Sequence, residues 1–203
     1  LVTLLLTLVL TATLLAWEER HEAFRLGPLV PCFLFWVNAH GGVLAGLCSA
    51  VLVIGVGSFR ALRYERTRAL RSLLFVPVLL STSLVNPYGA ELPRTWVTLS
   101  SSPVLPRLIQ EPAPPDFHML GHWVLLALGL GYVASLWTVP RQKLEASHFL
   151  PLVWLLLSLR SVRHIPLFAA VAVMTWPALV TRSERLQTLL SRSAILRFGT
   201  PPA

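Results

Sequence analysis

Long apolar runs alternate with short polar links along the whole chain. In 4–17 and 124–137 the apolar residues follow one another without the strict alternation of a strand that has one buried face. Such continuous runs do not fit the strands of a membrane barrel. The pattern therefore predicts an all-α protein, a polytopic bundle of transmembrane helices in the cell membrane.

One of these runs is too long for a single membrane span. The run 26–57 exceeds the about 20 residues that a spanning helix needs, and Asn38, His40 and a pair of glycines interrupt it. We therefore expect a hairpin that joins a short helix over 26–37 to a longer helix over 41–57. The alternative is one long tilted helix.

A second hairpin is predicted where Arg160, Arg163 and His164 separate the apolar runs 149–159 and 165–180. An arginine within the membrane costs at least about 2.5 kcal/mol on insertion scales, so it is usually paired, near water or at the interface. The short leg of each hairpin would reach only about 18 Å through a hydrocarbon core of about 30 Å. We therefore expect re-entrant or short helices that thin the bilayer or are shielded by protein.

The distribution of basic residues predicts the orientation. The densest basic segment contains five arginines and one glutamate: Arg60, Arg63, Glu65, Arg66, Arg68 and Arg71. Basic segments next to spans are usually retained in the cytoplasm. This places thirteen of the seventeen lysines and arginines inside, and it places both hairpin turns outside.

A long outer loop is expected between the two hairpins. Within it, Leu92, Trp96 and Leu99 have the spacing of one helical face, which predicts an amphipathic helix over 91–101 at the headgroup level. The proline-rich stretch 103–117 cannot form regular helix. We expect it to be an extended loop that covers the outer surface.

Two regions are predicted along the chain. Residues 1–180 form the transmembrane region, and 181–203 form an amphipathic basic tail on the cytoplasmic surface, whose helix would begin with a capping box of Thr181 and Glu184. Leu1 lies inside an apolar run without a preceding basic segment, so we expect the chain to be a fragment of a larger membrane protein.

Composition narrows the class of protein. Apolar residues make up 55%, charged residues only 13%, and the mean hydropathy is +0.67, far from the roughly 25% charged residues of soluble domains. We interpret the net charge of +8 as topological and expect no nucleic-acid partner.

No metal or cofactor is predicted. Cys32 and Cys48 are expected to be packing residues, and the pair of His118 and His122 lacks a third ligand. The tryptophans mostly fall near predicted span ends, as in an aromatic belt.

The proposed outer face collects the polar residues that are candidates for a substrate site. Forked arginine donors beside imidazole, phenol and amide groups suit a phosphate, such as that of a lipid carrier. The candidate substrate-binding residues are Asn38, His40, Asn86, Tyr88, Glu111, Asp116, Arg160, Arg163 and His164.

Simpler interpretations of these residues stay open. Arg160 and Arg163 would then pair with Glu111 and Asp116, or bind lipid headgroups. Asn38 and His40 would make hydrogen bonds between helices at a glycine-rich crossing, because Gly42, Gly46 and Ala50 form a face that admits another helix closely.

Four sequence segments occur together along the chain, beginning at Phe35 (FWVNAHGGVLAG), Leu84 (LVNPYG), Ile109 (IQEP, continuing to Asp116-Phe117) and Arg160 (RSVRHIPLF). In this order they resemble large bacterial polytopic membrane proteins that are similar to the GT-C superfamily of glycosyltransferases. The resemblance covers about residues 1–180.

The resemblance implies a sugar donor carried on polyprenyl phosphate and transfer at the extracytoplasmic face. It also implies a catalytic acidic residue in an outer loop near the N-terminus of the family. This chain resembles the middle and C-terminal portion, so we assign no catalytic residue.

The alternative belongs to another class of function. The chain would be a non-catalytic membrane subunit or scaffold whose glycine face, proline-rich loop and surface helix pack against partner membrane proteins. An open outer cavity lined by the arginines would favour the enzyme, whereas a small-residue face covered by another polypeptide would favour the scaffold.

Overall fold

A computed structural model describes residues 1–20, 22–100 and 114–192, and all regular secondary structure in these ranges is helical. The all-α prediction is thereby confirmed for this part of the chain. Its α-helices are α1 Val2–Arg20, α2 Leu29–Ala39, α3 Val43–Ala61, α4 Arg66–Leu73, α5 Phe75–Thr82, α6 Glu91–Ser100, α7 Leu120–Thr138, α8 Leu150–Arg160, α9 Ile165–Arg182 and α10 Glu184–Arg192.

In the described ranges, four helical segments are long and apolar enough to cross a membrane. They are α1, α3, α7 and Val162–Arg182, which joins a short 3-10 turn to α9. The helix break predicted near Asn38 is present, because α2 ends at Ala39 and the extended backbone of His40 separates it from α3. The alternative of one long helix over 26–57 is wrong.

The helical segments that contain α2 and α8 are longer than the sequence pattern predicts. A 3-10 turn precedes α2 and another precedes α8, and together they give helical segments of Ala23–Ala39 and Ala146–Arg160. At about 2.0 Å per residue in the 3-10 turns and 1.5 Å in the α-helices, these segments span roughly 27 and 25 Å. Each leg is therefore nearly as long as a bilayer core is thick.

Helix α1 lies at the centre of the packing. It contacts α2, α3 and α9, and its buried residues recur at intervals of three or four, including Leu10, Leu14 and Trp17. This spacing keeps one helical face toward the core. Helix α1 therefore packs against both hairpins, through α2 and α3 of the first and α9 of the second.

The small residues of α3 are covered by the chain itself. A Cβ atom at Gly42 would lie 2.6 Å from Oγ1 of Thr3, and one at Gly46 would lie 2.6 Å from the ring of Trp36. Ala50 is fully buried. The face predicted to admit another helix thus admits α1 and α2 of the same chain.

Hydrogen bonds define two ends of the bundle. At the end that we call the basic end, Glu18, Arg60 and Arg182 contact the segment 143–149. At the opposite end, which we call the hairpin end, Thr3 of α1 contacts His40. The turn 161–164 also lies at the hairpin end, because α9 runs from it to the basic end.

Several predicted boundaries differ from the structure. The basic segment from Arg60 to Arg71 is mostly helical, because α3 continues to Ala61, beyond its predicted end at residue 57, and α4 begins at Arg66. Thr181 lies inside α9, and the hydroxyl of Ser183 instead accepts the backbone N–H of Leu186 at 3.2 Å. The predicted capping residue is therefore wrong by two positions.

The amphipathic helix of the outer loop lies where its periodicity predicted it. Helix α6 is Glu91–Ser100, and Leu92 and Trp96 pack against the buried core. The side chain of Leu99 and the proline-rich residues 101–113 lie outside the described part of the chain.

Candidate functional site

The turn of the first hairpin holds His40 in one orientation. Nδ1 of its ring accepts the backbone N–H of Gly42 at 3.0 Å and lies 2.7 Å from the hydroxyl of Thr3. Because Nδ1 accepts the Gly42 N–H, the Thr3 hydroxyl must donate to it as well. Nε2 then carries the hydrogen of the neutral ring, so this exposed residue offers an N–H donor at the hairpin end.

Asn38 connects the first hairpin to the segment that follows α5. Its Nδ2 donates to the backbone carbonyl of Leu34 at 2.8 Å and to that of Val85 at 2.9 Å. Both amide hydrogens are therefore used, and Asn38 braces α2 against the turn at residue 86.

Asn86 organises that turn. Its Nδ2 donates to the carbonyls of Ser83 and Gly89, and its Oδ1 accepts the backbone N–H of Tyr88 at 2.8 Å. Gly89 adopts a positive φ of 52°, which a glycine takes at no steric cost. The turn presents Tyr88, whose side chain is 71% exposed.

The turn of the second hairpin fixes His164 in the opposite tautomer. Its Nδ1 lies 3.2 Å from the carbonyl of Leu157, which can only accept, and its ring centroid lies 5.9 Å from that of Trp154. Nδ1 therefore carries the hydrogen of the neutral ring, and Nε2 is left as an acceptor.

Arg160 and Arg163 flank this turn, and both are exposed. Neither guanidinium forms an ion pair or hydrogen bond with a residue in the described ranges. Two exposed cationic side chains thus lie three positions apart in sequence at the hairpin end, without a partner among the described residues.

Asp116 lies in the turn that precedes α7, and it forms no ion pair with Arg160 or Arg163. Its Oδ1 accepts the backbone N–H of His118 at 2.9 Å, and its carbonyl lies 2.7 Å from Nδ1 of His122. The alternative ion pair between Asp116 and Arg160 or Arg163 is therefore not formed. Glu111, the other acidic candidate, lies outside the described residues.

The candidate residues fall into separate groups. One group consists of Asn38, His40 and Asn86, on the first hairpin and on the segment after α5. The other consists of Arg160, Arg163 and His164, at the turn of the second hairpin.

Sequence reasoning missed a buried polar cluster at the basic end. Both carboxylate oxygens of Glu18, which is only 4% exposed, accept the backbone N–H of Ser147 at 3.1 and 3.2 Å. The pattern had treated Glu18 as part of a polar link. Yet it follows Leu14 by four residues and Thr11 by seven, which places it on the buried face of α1.

Three further helices contact the same segment. Arg60 donates to the carbonyl of Leu144 at 2.6 Å, Arg182 donates to that of Lys143 at 2.9 Å, and Tyr132 donates to that of His148 at 2.9 Å. Residues 143–149 are thus held by α1, α3, α7 and α9. Since this segment leads directly into α8, it sets the position of the helix that ends at Arg160.

An apolar groove of about 500 Å³ lies beside the first hairpin, between α3, α5 and α6. Its lining residues are almost all apolar: Leu44, Leu47, Cys48, Val51, Leu80, Ser83, Pro93, Trp96 and Val97. The groove opens on the half of α3 nearest the hairpin end.

Comparison of the chain with protein-family models, with curated proteins and with solved structures gives no match. The resemblance to GT-C glycosyltransferases therefore stays a hypothesis that rests on the four sequence segments. Any functional conclusion depends on the geometry of the hairpin end.

Proposed function

We propose that this chain is the membrane-embedded portion of a GT-C-like glycosyltransferase in the cell membrane, which takes a sugar from a polyprenyl-phosphate donor at the extracytoplasmic face. The observation that carries the proposal is the pair of exposed guanidinium groups of Arg160 and Arg163, which have no acidic partner in the described ranges. In this proposal the two arginines bind the phosphate of the donor.

The same proposal includes a topology. The bundle is polytopic, α2 and α8 are the short legs of two hairpins, and the basic end faces the cytoplasm. The support is the predominance of arginine in 60–71 and at Arg182, which follows the usual retention of positive charge inside. Both hairpin turns then lie on the outer face, where a lipid-linked sugar would be used.

The charge of the arginines suits the chemistry of sugar transfer. The bond from the anomeric carbon to the phosphate oxygen breaks, a bond to the acceptor oxygen forms, and the acceptor hydroxyl loses its proton to a base. Polyprenyl phosphate leaves with a negative charge that Arg160 and Arg163 stabilise. We assign no catalytic base.

The two histidines supply complementary hydrogen-bonding groups in this proposal. Nε2 of His40 donates a hydrogen bond and Nε2 of His164 accepts one, as their fixed Nδ1 contacts imply. We propose that His40 contacts the sugar and that Asn38 braces its turn, whereas Tyr88 offers an exposed hydroxyl to either ligand.

The test is sugar transfer in membranes that contain the Arg163→Ala variant. A hydrogen bond to a charged group is worth about 1.5–3 kcal/mol, so transfer from a radiolabelled polyprenyl-phosphate sugar should fall about 10- to 100-fold. Arg141→Ala is the matched control, because Arg141 is equally exposed but lies at the basic end. Full activity of the Arg163→Ala variant would refute the phosphate-binding role.

The alternative is a non-catalytic subunit or scaffold that packs against partner membrane proteins. The face of Gly42, Gly46 and Ala50 that prompted it is covered by Thr3 and Trp36 of the same chain, so that face no longer supports it. Two results together would favour the scaffold. One is photo-crosslinking of the groove residue Val97 to a second polypeptide, and the other is unchanged sugar transfer in the arginine variants.

A further inference from the structure

We propose that the exposed residues of 59–74 form a binding surface for the headgroups of acidic phospholipids. We call this surface the arginine patch. It lies at the basic end, away from the candidate sugar site, and the inference does not depend on sugar transfer. Its basis is the alternation of exposed apolar side chains with unpaired arginines where α3 ends and α4 begins.

The apolar members of the patch are large and exposed. Phe59 is 72% exposed, Tyr64 87%, Leu70 47% and Leu74 66%. Aromatic and aliphatic side chains at the end of a spanning helix enter the boundary between headgroups and acyl chains. They place the neighbouring arginines at the depth of the lipid phosphates.

The cationic members are available for an external anion. Arg63, Arg66 and Arg71 are exposed and form no hydrogen bond or ion pair with any residue that the structure describes. Arg68 differs, because it lies 2.9 Å from Glu65. Three of these arginines are therefore free to bind phosphate, and the patch keeps a net positive charge.

The backbone that carries the patch is fixed. Ala69 and Ser72 are buried, and the indole N–H of Trp17 donates to the hydroxyl of Ser72 at 3.1 Å. This contact anchors α4 to the end of α1. The arginines are consequently displayed from a packed helix, so binding does not require the ordering of a loop.

A neighbouring turn extends the patch. The 3-10 turn Ala23–Leu26 packs against α4. In this turn Phe24 is 72% exposed, and the guanidinium carbon of Arg25 lies 5.8 Å from its ring centroid while Arg25 Nε donates to Glu22 at 2.9 Å. The mixture of aromatic and cationic groups thus continues onto a second segment at the same end.

The arrangement favours a lipid surface over a soluble anion. The arginines of the patch are distributed between Phe59 and Leu74, from the loop after α3 to the last turn of α4, with exposed apolar residues among them. A layer of phosphate headgroups above acyl chains matches both kinds of side chain. Acidic phospholipids add a net negative charge that zwitterionic phospholipids lack, and this makes them the expected partner.

The test compares lipid binding by the purified full chain in a neutral detergent. Native mass spectrometry would be used to titrate dioleoylphosphatidylglycerol and dioleoylphosphatidylcholine. We expect tighter binding of phosphatidylglycerol, and we expect the variant R63Q/R66Q/R71Q to lose about fivefold in affinity per arginine, or about 100-fold in all.

The matched control removes the same amount of charge elsewhere at the basic end. Arg141 and Arg185 are exposed, form no ion pair within the described ranges and lie outside the patch. The variant R141Q/R185Q should therefore bind phosphatidylglycerol as the unmodified chain does, whereas its matched double variant R63Q/R66Q should lose about 25-fold. Size-exclusion profiles and thermal unfolding would confirm that these variants fold. A variant that fails to fold would be replaced by the three single substitutions, each with an expected loss of about fivefold.

Three results would overturn the inference. One is unchanged phosphatidylglycerol affinity in the R63Q/R66Q/R71Q variant. Another is an equal loss in the control variant, which would indicate a general effect of surface charge. The third is displacement of phosphatidylglycerol by millimolar inorganic phosphate, which would indicate a site for a soluble anion instead of a lipid surface.

Discussion

The hydroxyl of Thr3 donates a hydrogen bond of 2.7 Å to Nδ1 of His40, and the backbone N–H of Gly42 donates to the same nitrogen at 3.0 Å. This contact joins the first turn of α1 to the turn between α2 and α3. It fixes both the orientation of the imidazole and the position of its hydrogen.

His40 and His164 are predicted to be opposite tautomers. In the neutral rings, the hydrogen should be on Nε2 of His40 and on Nδ1 of His164, because Gly42 donates to one Nδ1 and the carbonyl of Leu157 accepts from the other. Nitrogen-15 NMR of histidine-labelled protein distinguishes the two forms. A protonated Nδ1 in neutral His40 would contradict the described contact, and the His40→Gln variant assigns the signals.

Gly42→Ala is predicted to destabilise the protein, whereas Gly41→Ala is not. The new Cβ would lie 2.6 Å from Oγ1 and 2.7 Å from Cγ2 of Thr3, while a Cβ at Gly41 would meet nothing within 4 Å. Overpacking of this kind costs about 1–3 kcal/mol. Thermal unfolding in detergent measures the difference.

A second substitution separates the steric effect from other causes. Thr3→Ala removes both atoms that would clash, so the double variant Gly42→Ala/Thr3→Ala should be more stable than the sum of the two single effects predicts. Strict additivity would show that the loss at position 42 does not arise from Thr3.

Glu18→Ala is predicted to lower the free energy of unfolding by about 1–3 kcal/mol, because it leaves the buried N–H of Ser147 without its acceptor. Glu18→Gln keeps one acceptor oxygen and should cost less. Glu19→Ala is the control, since Glu19 is the exposed neighbour on the same helix. If Glu18→Ala and Glu19→Ala unfolded at the same temperature, the contact between Glu18 and Ser147 would add nothing to stability.

The proposed orientation predicts which positions an impermeant thiol reagent reaches in intact cells. In a background without Cys32 and Cys48, single cysteines at Tyr88 and Arg163 should be labelled. Cysteines at Arg66 or Arg141 should be labelled only after the membrane is opened. The reverse pattern would invert the topology and move the proposed sugar site to the cytoplasmic face.

Much of the helical architecture follows from local sequence. The break after Ala39 was predicted because polar residues and two glycines interrupt an apolar run, and α6 was predicted from the spacing of Leu92 and Trp96. These signals are local, since they depend only on residues within a few turns. The 3-10 turns that lengthen α2 and α8 were missed, because they carry Arg25 and His148 in segments that hydropathy assigns to links.

Long-range contacts were the main source of error. Tryptophans near predicted span ends suggested an aromatic belt, and Trp137 is indeed 87% exposed, but Trp17, Trp36 and Trp154 are almost completely buried. Glu18 was read as a polar link because its partner Ser147 is distant in sequence. A hydropathy profile ends an apolar run at any charged residue, even where another helix supplies that residue with a hydrogen bond.

From the sequence, the candidate site can be predicted only as a set of polar residues at the hairpin end of the bundle. Sequence could not reveal that the amides of Asn38 and Asn86 are occupied by backbone groups, nor that His164 folds back onto α8. Those roles depend on the turn geometry of each hairpin. That Arg160 and Arg163 have no ion-pair partner in the described ranges is a result of the structure, whereas their presence at a hairpin turn follows from sequence.

The hydrogen bond from Ser147 to Glu18 constrains the order of events during synthesis. The two residues are 129 positions apart, and at translation rates of about 5–20 residues per second the ribosome needs roughly 6–26 s to add the intervening chain. Throughout that interval the Ser147 N–H that binds the Glu18 carboxylate has not been synthesised, so this contact cannot form. The docking of α1 against the segment 143–149 is consequently a late step of assembly.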